Sequence, residues 1–382
     1  MNTHDENFTF EDIAPTDQQE DENDLDQNID YRNAVVMNAD WTIGTIYQQV
    51  SRENIVLDPT FQRREAWDDT RKSRLIESII VGVPIPNIVL AEAKENRGHF
   101  MVIDGKQRLL AVMTFMSGNL TLRGLDLRQD LNGLNFSSLP FQDRDYFENS
   151  TIRATIVRNW QDENFLYAMF YRLNSGSLQL SPQELRKALV GGKLLDAIDE
   201  YIFHSDAFKS VFGEKLDKRM RDSELVLRFI AFDSDIEHYN GNLKHFLDEA
   251  TKKYESNWSA LSQDLIKKFD RLNLALETSY TIFGSNAFKK YSEKGYERRI
   301  NRAIFDSVAR SFSEPHVSQW AIENPQEVIT LYEEVCLDPD FRSAIEKTTK
   351  TREATFARIH LWGKKIADAM GAKYEEASAR IR

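Results

Sequence analysis

"VIDGKQRLLAV", residues 102–112, changes from the pattern of a strand to the pattern of a helix at one glycine. Gly105 can adopt a positive φ at no steric cost, which suits a tight turn between the two elements. The apolar side chains after the glycine recur at helical spacing and are expected on the buried face of the helix: Leu109, Val112, Met113 and Met116. This stretch predicts a strand, a glycine turn and an amphipathic helix.

Two cations and an amide lie on the first turn of the expected helix: Lys106, Gln107 and Arg108. A helix N-terminus carries unpaired backbone N–H groups and the positive end of the helix dipole, so it favours an anion. Arg108 has the planar fork that binds phosphate oxygens in pairs, and Asp104 can hold Mg²⁺ through water or orient the arginine. A solvated turn whose arginine pairs with a carboxylate elsewhere fits the same residues, and both interpretations stay open at this point.

A small mixed α/β segment surrounds this turn. Residues 67–82, WDDTRKSRLIESIIVG, predict an amphipathic helix that Asp68 or Asp69 caps and Gly82 ends. A shorter helix is expected near residues 43–50. Apolar runs rich in β-branched residues predict extended segments at residues 54–58, 87–93, 99–104 and 150–158.

From residue 162 onward the pattern is almost wholly helical, and the stretch YERRINRAIFDSVARSF at residues 296–312 is included in this prediction. The predicted fold class is therefore α+β. A small α/β domain is expected at residues 31–190, followed by an all-helical domain at residues 191–382.

The net charge of −12 is concentrated at the N-terminus. Residues 1–30 hold 11 Asp and Glu and no Lys or Arg, so residues 31–382 carry a net charge of only −1. A polar, acidic segment of this kind is expected to be a disordered tail. It can mimic nucleic acid or dock on a basic partner, or it can simply keep the chain in solution.

Cysteine usage and hydropathy indicate a cytoplasmic protein. The one cysteine, Cys336, excludes an intrachain disulfide and a zinc site built from cysteines, which fits a reducing compartment. No apolar run approaches the roughly 20 residues that a membrane span needs. The N-terminus also lacks a basic and then apolar secretion signal, so no membrane contact is expected.

A second polar cluster lies upstream in DPTFQRREAW, residues 58–67. Two adjacent arginines beside an aromatic ring suit phosphate binding, with the ring stacking on a base or on a guanidinium. The cluster also fits a structural arginine pair at the edge of a sheet. Its candidate nucleotide-binding residues are Gln62, Arg63, Arg64 and Trp67.

A third cluster lies in FYRLNSGSLQLSPQELRKAL, residues 170–189. Asn174 and Ser175 open a polar loop whose backbone N–H groups can add an anion contact. Ser181 then begins a helix, with Pro182 at its first position and Glu184 three residues on, which predicts a structural capping box.

Other catalytic patterns are weak. His238 and His245 lie seven residues apart without a third ligand in the pattern, so solvated or structural histidines are favoured over a metal site. The sequence contains no GxSxG, GxxxxGK[ST] or HExxH motif, and a nucleotide-binding site of the P-loop type is therefore excluded.

Four ordered motifs together resemble the GmrS-type domain, the amino-terminal half of GmrSD modification-dependent restriction enzymes. They are FQRREAW at 61–67, KSRLIESIIVGVPIPNIVL at 72–90, VIDGKQRLLAVMTFMSG at 102–118 and FYRLNSGSLQLSPQELRKAL at 170–189. The resemblance spans roughly residues 40–190. The usual Asp-Gly-Gln-Gln-Arg of this family has Lys106 in place of its first glutamine here, a change that keeps the turn and adds charge.

That family is similar to the ParB and sulfiredoxin superfamily, in which a glycine turn opening a helix binds the triphosphate of ATP or CTP. The resemblance therefore implies a nucleoside triphosphate, with Mg²⁺, in a pocket of Arg63, Arg64, residues 104–108 and the Asn174 loop. Lys106 and Arg108 are expected to bind phosphates, with Gly105 forming the turn. Asp104 is expected to organise the metal or water, and Gln107 to orient the attacking water.

Three functions remain open. The first is slow nucleoside triphosphate hydrolysis in a bacterial anti-phage, restriction-like system. The second is a DNA-nicking nuclease, which the near-neutral body and the lack of a metal-histidine cluster disfavour. The third is a nucleotide sensor that does not hydrolyse its ligand. GmrSD enzymes carry a His-Asn-His nuclease half, and residues 191–382 lack its pattern. A separately encoded nuclease or other effector is therefore the expected partner, with DNA and a second copy of the chain as further candidates.

Overall fold

The computed structural model describes residues 32–57, 67–173, 181–347 and 349–382. Contacts divide the chain into two compact units, and the boundary lies between Leu189 and Val190. We refer to the described residues before this boundary as the α/β unit and to those after it as the helical unit.

The α/β unit contains five strands and six helices of at least two turns in its described residues. They are β1 (Val35–Thr42), α1 (Ile43–Ser51), β2 (Ile55–Val56), α2 (Asp69–Ile80), β3 (Ile88–Glu92), β4 (Phe100–Asp104), α3 (Lys106–Met116), α4 (Phe141–Asn149), β5 (Thr151–Arg158), α5 (Glu163–Leu173) and α6 (Pro182–Leu189). Side chains cap the early helices, since Thr42 accepts a hydrogen bond from the Thr45 amide and Asp68 accepts one from the Arg71 amide.

The strands form one sheet in the order β1-β5-β3-β4-β2. β1 runs antiparallel to β5, and β3 runs parallel to β5. β4 runs antiparallel to β3 and parallel to β2. The start of β3, the start of β5 and the last residues of β1 therefore lie at the same end of the sheet as Asp104. We call this the Asp104 end.

Helices cover both faces of the sheet, and the alternation of side chains along each strand explains how. On β3, Ile88 and Leu90 belong to the core beneath α1 to α4, whereas Val89 and Ala91 belong to a smaller core that includes Leu166 and Leu185 of α5 and α6. A strand that is buried on both faces is nearly continuously apolar, as the segment IVLA of β3 is.

The predicted fold class is confirmed, a small α/β part followed by a mostly helical part, and most elements near the turn lie where the sequence predicts them. One detail of α3 was wrong. Met113 and Met116 are partly exposed, and Leu110 and Phe115 are buried in their place beside Leu109 and Val112. Two elements were not predicted at all, the edge strand β1 and the helix α4.

The helical unit contains ten helices and two short hairpins in its described residues. They are α7 (Lys193–His204), α8 (Asp206–Phe212), α9 (Arg221–Asp235), α10 (Leu243–Ser256), α11 (Trp258–Phe283), β6 (Lys289–Ser292), β7 (Gly295–Ile300), α12 (Arg302–Phe312), α13 (Pro315–Glu323), α14 (Pro325–Leu337), α15 (Pro339–Glu346), α16 (Arg352–Met370), β8 (Tyr374–Glu375) and β9 (Arg380–Ile381). One hydrophobic cluster joins these helices, with α11, α12 and α16 contributing throughout.

The helical prediction was wrong for residues 296–300. These residues form most of β7, which pairs with β6, and the helix begins only at Arg302 after the Asn301 cap. Asn301 accepts a hydrogen bond from the Ile304 amide, so the helix start is set by a capping side chain. None of the helices in the described ranges is long and apolar enough to cross a bilayer.

Candidate phosphate-binding site

The centre of the candidate site is the turn between β4 and α3. β4 ends at Asp104, Gly105 adopts a φ of +94°, and α3 begins at Lys106. A Cβ on Gly105 would lie 2.6 Å from Cγ2 of Ile88, so the start of β3 closes over the turn. Both the left-handed backbone and this close approach require glycine.

The N-terminus of α3 has no side-chain cap, since Gly105 has no side chain to offer. The first turn of a helix leaves backbone N–H groups without intrahelical partners, and the dipole makes this end positive. An uncapped helix start of this kind is the geometry that anion sites in other proteins use, and the anion site expected from the sequence stays a prediction.

Two side chains of the first turn of α3 are buried or place a polar atom in a buried position. Lys106 is only 6% exposed. The Oε1 atom of Gln107 is buried and makes no hydrogen bond within the described parts of the chain. Buried polar atoms normally have partners, so the orphaned amide oxygen marks a place where a further group is expected.

Arg108 joins three parts of the α/β unit. Its Nη2 donates to Oδ2 of Asp104 at 2.6 Å and to the backbone oxygen of Asn87 at 2.8 Å. The side chain is 12% exposed, and its buried Nε makes no hydrogen bond to the described residues. The sequence left open whether this arginine pairs with a carboxylate, and it does so within its own turn.

Trp67 lies just before α2, partly buried against the core beneath α1 to α4. The guanidinium of Arg71 stacks over its ring at 4.8 Å from the centroid, so the aromatic platform predicted here holds an arginine of α2. Gln62, Arg63 and Arg64 lie outside the described residues. β2, the strand that precedes them, runs toward the Asp104 end of the sheet, and its last residue, Val56, pairs with Met101.

The capping box before α6 is confirmed. The Ser181 amide donates to Oε2 of Glu184 at 2.6 Å, and the Glu184 amide donates to Oγ of Ser181 at 3.1 Å. Asn174 and Ser175, the loop residues proposed to bind nucleotide, lie outside the described residues.

α6 also carries polar residues that the sequence reasoning missed. Gln183 and Arg186 are fully buried, and Nη1 of Arg186 donates to Oε1 of Gln183 at 2.6 Å. The signal was present in PQELRKAL, because this short helix has too few apolar residues for one that packs against a sheet.

Asp104 is suited to hold a metal ion together with a bound phosphate. In the described parts of the chain no group of three His, Cys, Asp or Glu side chains could hold a metal by itself. Mg²⁺ in phosphate-transfer sites is held by one or two carboxylates and by the substrate phosphates. The Asp104 side chain is 27% exposed and uses only one oxygen for Arg108, so the residue fits this role.

Neither His238 nor His245 belongs to a group of His, Cys, Asp or Glu side chains that could hold a metal within the described residues. His238 is 79% exposed and contacts Asp235, and His245 lies exposed on the first turn of α10. The favoured interpretation of solvated histidines agrees with this placement.

A groove of about 560 Å³ opens at the Asp104 end of the sheet, and the sequence reasoning did not find it. Val83, Pro84 and Asn87 contribute from the segment before β3, and Tyr146 contributes from α4. Because Asn87 also binds Arg108, the groove adjoins the turn. Its one signal in the sequence is the pair of prolines in VPIPN, residues 83–87.

Comparison with curated proteins and with solved structures returned no significant match. Residues 43–191, about two fifths of the chain, match the family model described as the N-terminal domain of the GmrSD restriction endonuclease. The matched segment contains the glycine turn, the buried first turn of α3, the capping box and the residues that line the groove except Asp40. The α/β unit of this chain is therefore similar, over residues 43–191, to the N-terminal domain of the GmrSD restriction endonuclease family.

Proposed function

We propose that the turn at Asp104 to Arg108 binds the phosphates of a nucleoside triphosphate and hydrolyses it slowly, as part of a restriction-like defence system. The observation that carries this proposal is the uncapped start of α3, where Lys106 and the unpartnered Gln107 oxygen are buried together. The similarity of residues 43–191 to the GmrSD restriction endonuclease N-terminal domain supports the biological setting.

The residues of the turn have distinct tasks in this proposal. The amide groups of the first turn of α3 donate to phosphate oxygens, and Lys106 neutralises their charge. Nη2 of Arg108 is held by Asp104 and Asn87, so a phosphate contact comes from the other edge of the guanidinium. Gln107 orients the attacking water through its amide, which can both accept and donate.

Phosphoryl transfer depends on positioning and on neutralisation of developing charge, and neither requires a covalent nucleophile. Asp104 would hold Mg²⁺ through its free oxygen, and the ion supplies charge neutralisation when it is bound with the phosphates. Arg108 keeps the carboxylate of Asp104 in place for this purpose.

Calorimetric titration with the four ribonucleoside and four deoxyribonucleoside triphosphates, with Mg²⁺, tests the binding step. Lys106→Met keeps the apolar stem of the side chain and removes its charge, so we expect affinity to fall about tenfold or more. Arg74→Ala is the matched control, because Arg74 is 54% exposed in an ion pair with Asp126 on the surface. A folded wild-type protein that binds none of the eight nucleotides would rule out the proposal.

Phosphate release in a single turnover tests the hydrolysis step. Gln107→Ala is expected to slow release while it leaves the nucleotide bound, since the side chain acts on water. A wild-type protein that binds the nucleotide tightly and leaves it intact for hours is a sensor and not an enzyme.

A further inference from the structure

Apolar and polar side chains both line the groove at the Asp104 end. Val83, Pro84 and Tyr146 are among its apolar and aromatic residues, and Tyr146 is 53% exposed. Among its polar residues, Asp40 and Arg153 are cross-strand neighbours whose side chains pair at 3.0 Å. The volume of about 560 Å³ lies within the range of small-molecule sites.

Tyr146 faces the groove because of a glycine. A Cβ on Gly82 would lie 3.0 Å from the hydroxyl of Tyr146, so the tyrosine lies close over the end of α2. Gly82 has a φ of +76°, which turns the chain from α2 into the segment Val83 to Asn87. The aromatic ring and this segment therefore stand on the same side of the opening.

The groove and the turn are neighbours in the sheet. β4, which ends in the turn, pairs with β3, and β3 pairs with β5, whose first residues line the groove. Asn87 precedes β3 and belongs to both places, because its backbone oxygen accepts a hydrogen bond from Arg108. From β4 to β1 the sheet spans three strand spacings, about 14 Å in total. This is a distance that an extended nucleotide can cover.

The chemistry of the groove suits a nucleoside. An exposed aromatic ring offers a stacking surface to any base. The side-chain amide of Asn87 carries both a donor and an acceptor, which can pair with a base edge. Asp40 offers a carboxylate of the kind that accepts hydrogen bonds from ribose hydroxyls.

We propose that this groove binds the base and sugar of the nucleoside triphosphate whose phosphates lie at the Asp104 turn. The inference rests on the proposed function and adds to it the location of the nucleoside and the residues that contact it. Tyr146 stacks on the base, and Asp40, fixed by Arg153, binds the sugar.

Calorimetry with two ligands tests the inference: the best-bound nucleoside triphosphate and inorganic tripolyphosphate, each with Mg²⁺. Tyr146→Ala should weaken the nucleotide about tenfold and leave tripolyphosphate unchanged, because only the nucleotide has a base to stack. Val83→Trp, which fills the groove, should have the same selective effect. Tyr146→Phe should keep the affinity of the wild type.

Phe141→Ala is the matched control, because Phe141 is a 71% exposed aromatic residue of the same helix that does not line the groove. If Tyr146→Ala, Val83→Trp and Phe141→Ala all bind the nucleotide with the same affinity, the groove does not bind the nucleoside, and the proposed function still stands. A wild-type protein that binds tripolyphosphate as tightly as the nucleotide would also show that the groove does not bind the nucleoside. If neither ligand binds the folded wild-type protein, both the nucleoside-binding groove and the proposed function are ruled out.

Discussion

Gly105 is the residue on which the geometry of the turn depends most directly. It combines a φ of +94° with a close approach to Ile88, and each of these excludes a larger residue for a separate reason. At the other end of α3, Gly118 has a φ of +82° but no atom within 4 Å of the position of its Cβ. Substitutions at these two glycines therefore distinguish the cost of a strained backbone from the cost of a steric clash.

We expect Gly105→Ala to destabilise the protein more than Gly118→Ala. A left-handed backbone costs an alanine about 1 kcal/mol at either position. At Gly105 the contact with Ile88 adds about 1–3 kcal/mol, because the core must shift to admit a methyl group. Urea unfolding of the two variants measures the difference. Equal losses would mean that β3 does not close on the turn.

Arg108 shows what the sequence could and could not say about a single residue. Its position four residues after Asp104 on a helix start made a local ion pair foreseeable. Its bond to the backbone of Asn87, 21 residues away, depends on the pairing of β3 with β4. The phosphate-binding role expected for Arg108 remains a prediction.

At the scale of elements, a buried ionic cluster joins helices of the helical unit to the C-terminal strand. Asp233 of α9 has a side chain that is 1% exposed, and it pairs with Lys268 at 2.6 Å and Arg271 at 3.1 Å, both of α11. Arg380 of β9 binds Asp233 at 2.7 Å and also contacts Glu314. Burial by itself raises the pKa of Asp233, but the three cations outweigh it and lower the pKa to about 2.

The low pKa of Asp233 predicts a loss of stability in acid. A carboxyl whose pKa is lower in the folded state stabilises the fold above its unfolded pKa near 4, here by about 2.5 kcal/mol, and this contribution disappears as the pH falls toward 2. Asp233→Asn should therefore lower the free energy of unfolding at pH 7, where it leaves three cations around a neutral amide. It should also flatten the dependence of that free energy on pH between pH 5 and 2.

Urea unfolding at a series of pH values measures both effects. Asp126→Asn is the control, because the side chain of Asp126 is 66% exposed and its ion pair with Arg74 is on the surface. If the free energy of unfolding of Asp233→Asn depends on pH as that of the wild type does, the pKa of Asp233 is not the source of this pH dependence.

Helices and strands were predictable from the sequence where burial of one or both faces gives the apolar residues a regular spacing. β3, β4 and α2 are buried on one or both sides, and their apolar patterns identify them. β1 is an edge strand whose first residues, Val35 and Val36, are exposed, so no alternation marks it. α4 buries only Phe147, and a helix with one buried residue has no amphipathic signal.

At the scale of the whole molecule, the charge is divided unevenly along the chain. Residues 1–30, outside the described residues, carry 11 of the 61 acidic side chains and no cation. We propose that this acidic segment occupies the basic nucleic-acid groove of a separately encoded effector until nucleotide or phage releases it.

Deletion of residues 1–30 tests this proposal. We expect the free energy of unfolding and the nucleotide affinity to remain those of the full chain, because so polar a segment offers few side chains for a core. Binding to the effector should weaken, as measured by pull-down from cells that carry the whole operon. The toxicity of the operon to these cells should also change. A truncated protein that protects cells from phage and binds the same partners equally well would show that the segment only aids solubility. If cells that carry the intact operon gain no resistance to phage, the proposed defence role is ruled out.

The sequence by itself determined the local devices of this protein: the glycine turn after an apolar strand, the cations on the next helical turn, the Ser181 capping box and the division into an α/β part and a helical part. Each of these depends on backbone conformation or on side chains within four residues of one another, and neighbouring residues control such properties. Only the tertiary structure brought Asn87 to Arg108 and opened a groove between Tyr146 and the end of the sheet. These contacts come from strand order and register, which long-range packing selects among many pairings of similar local quality.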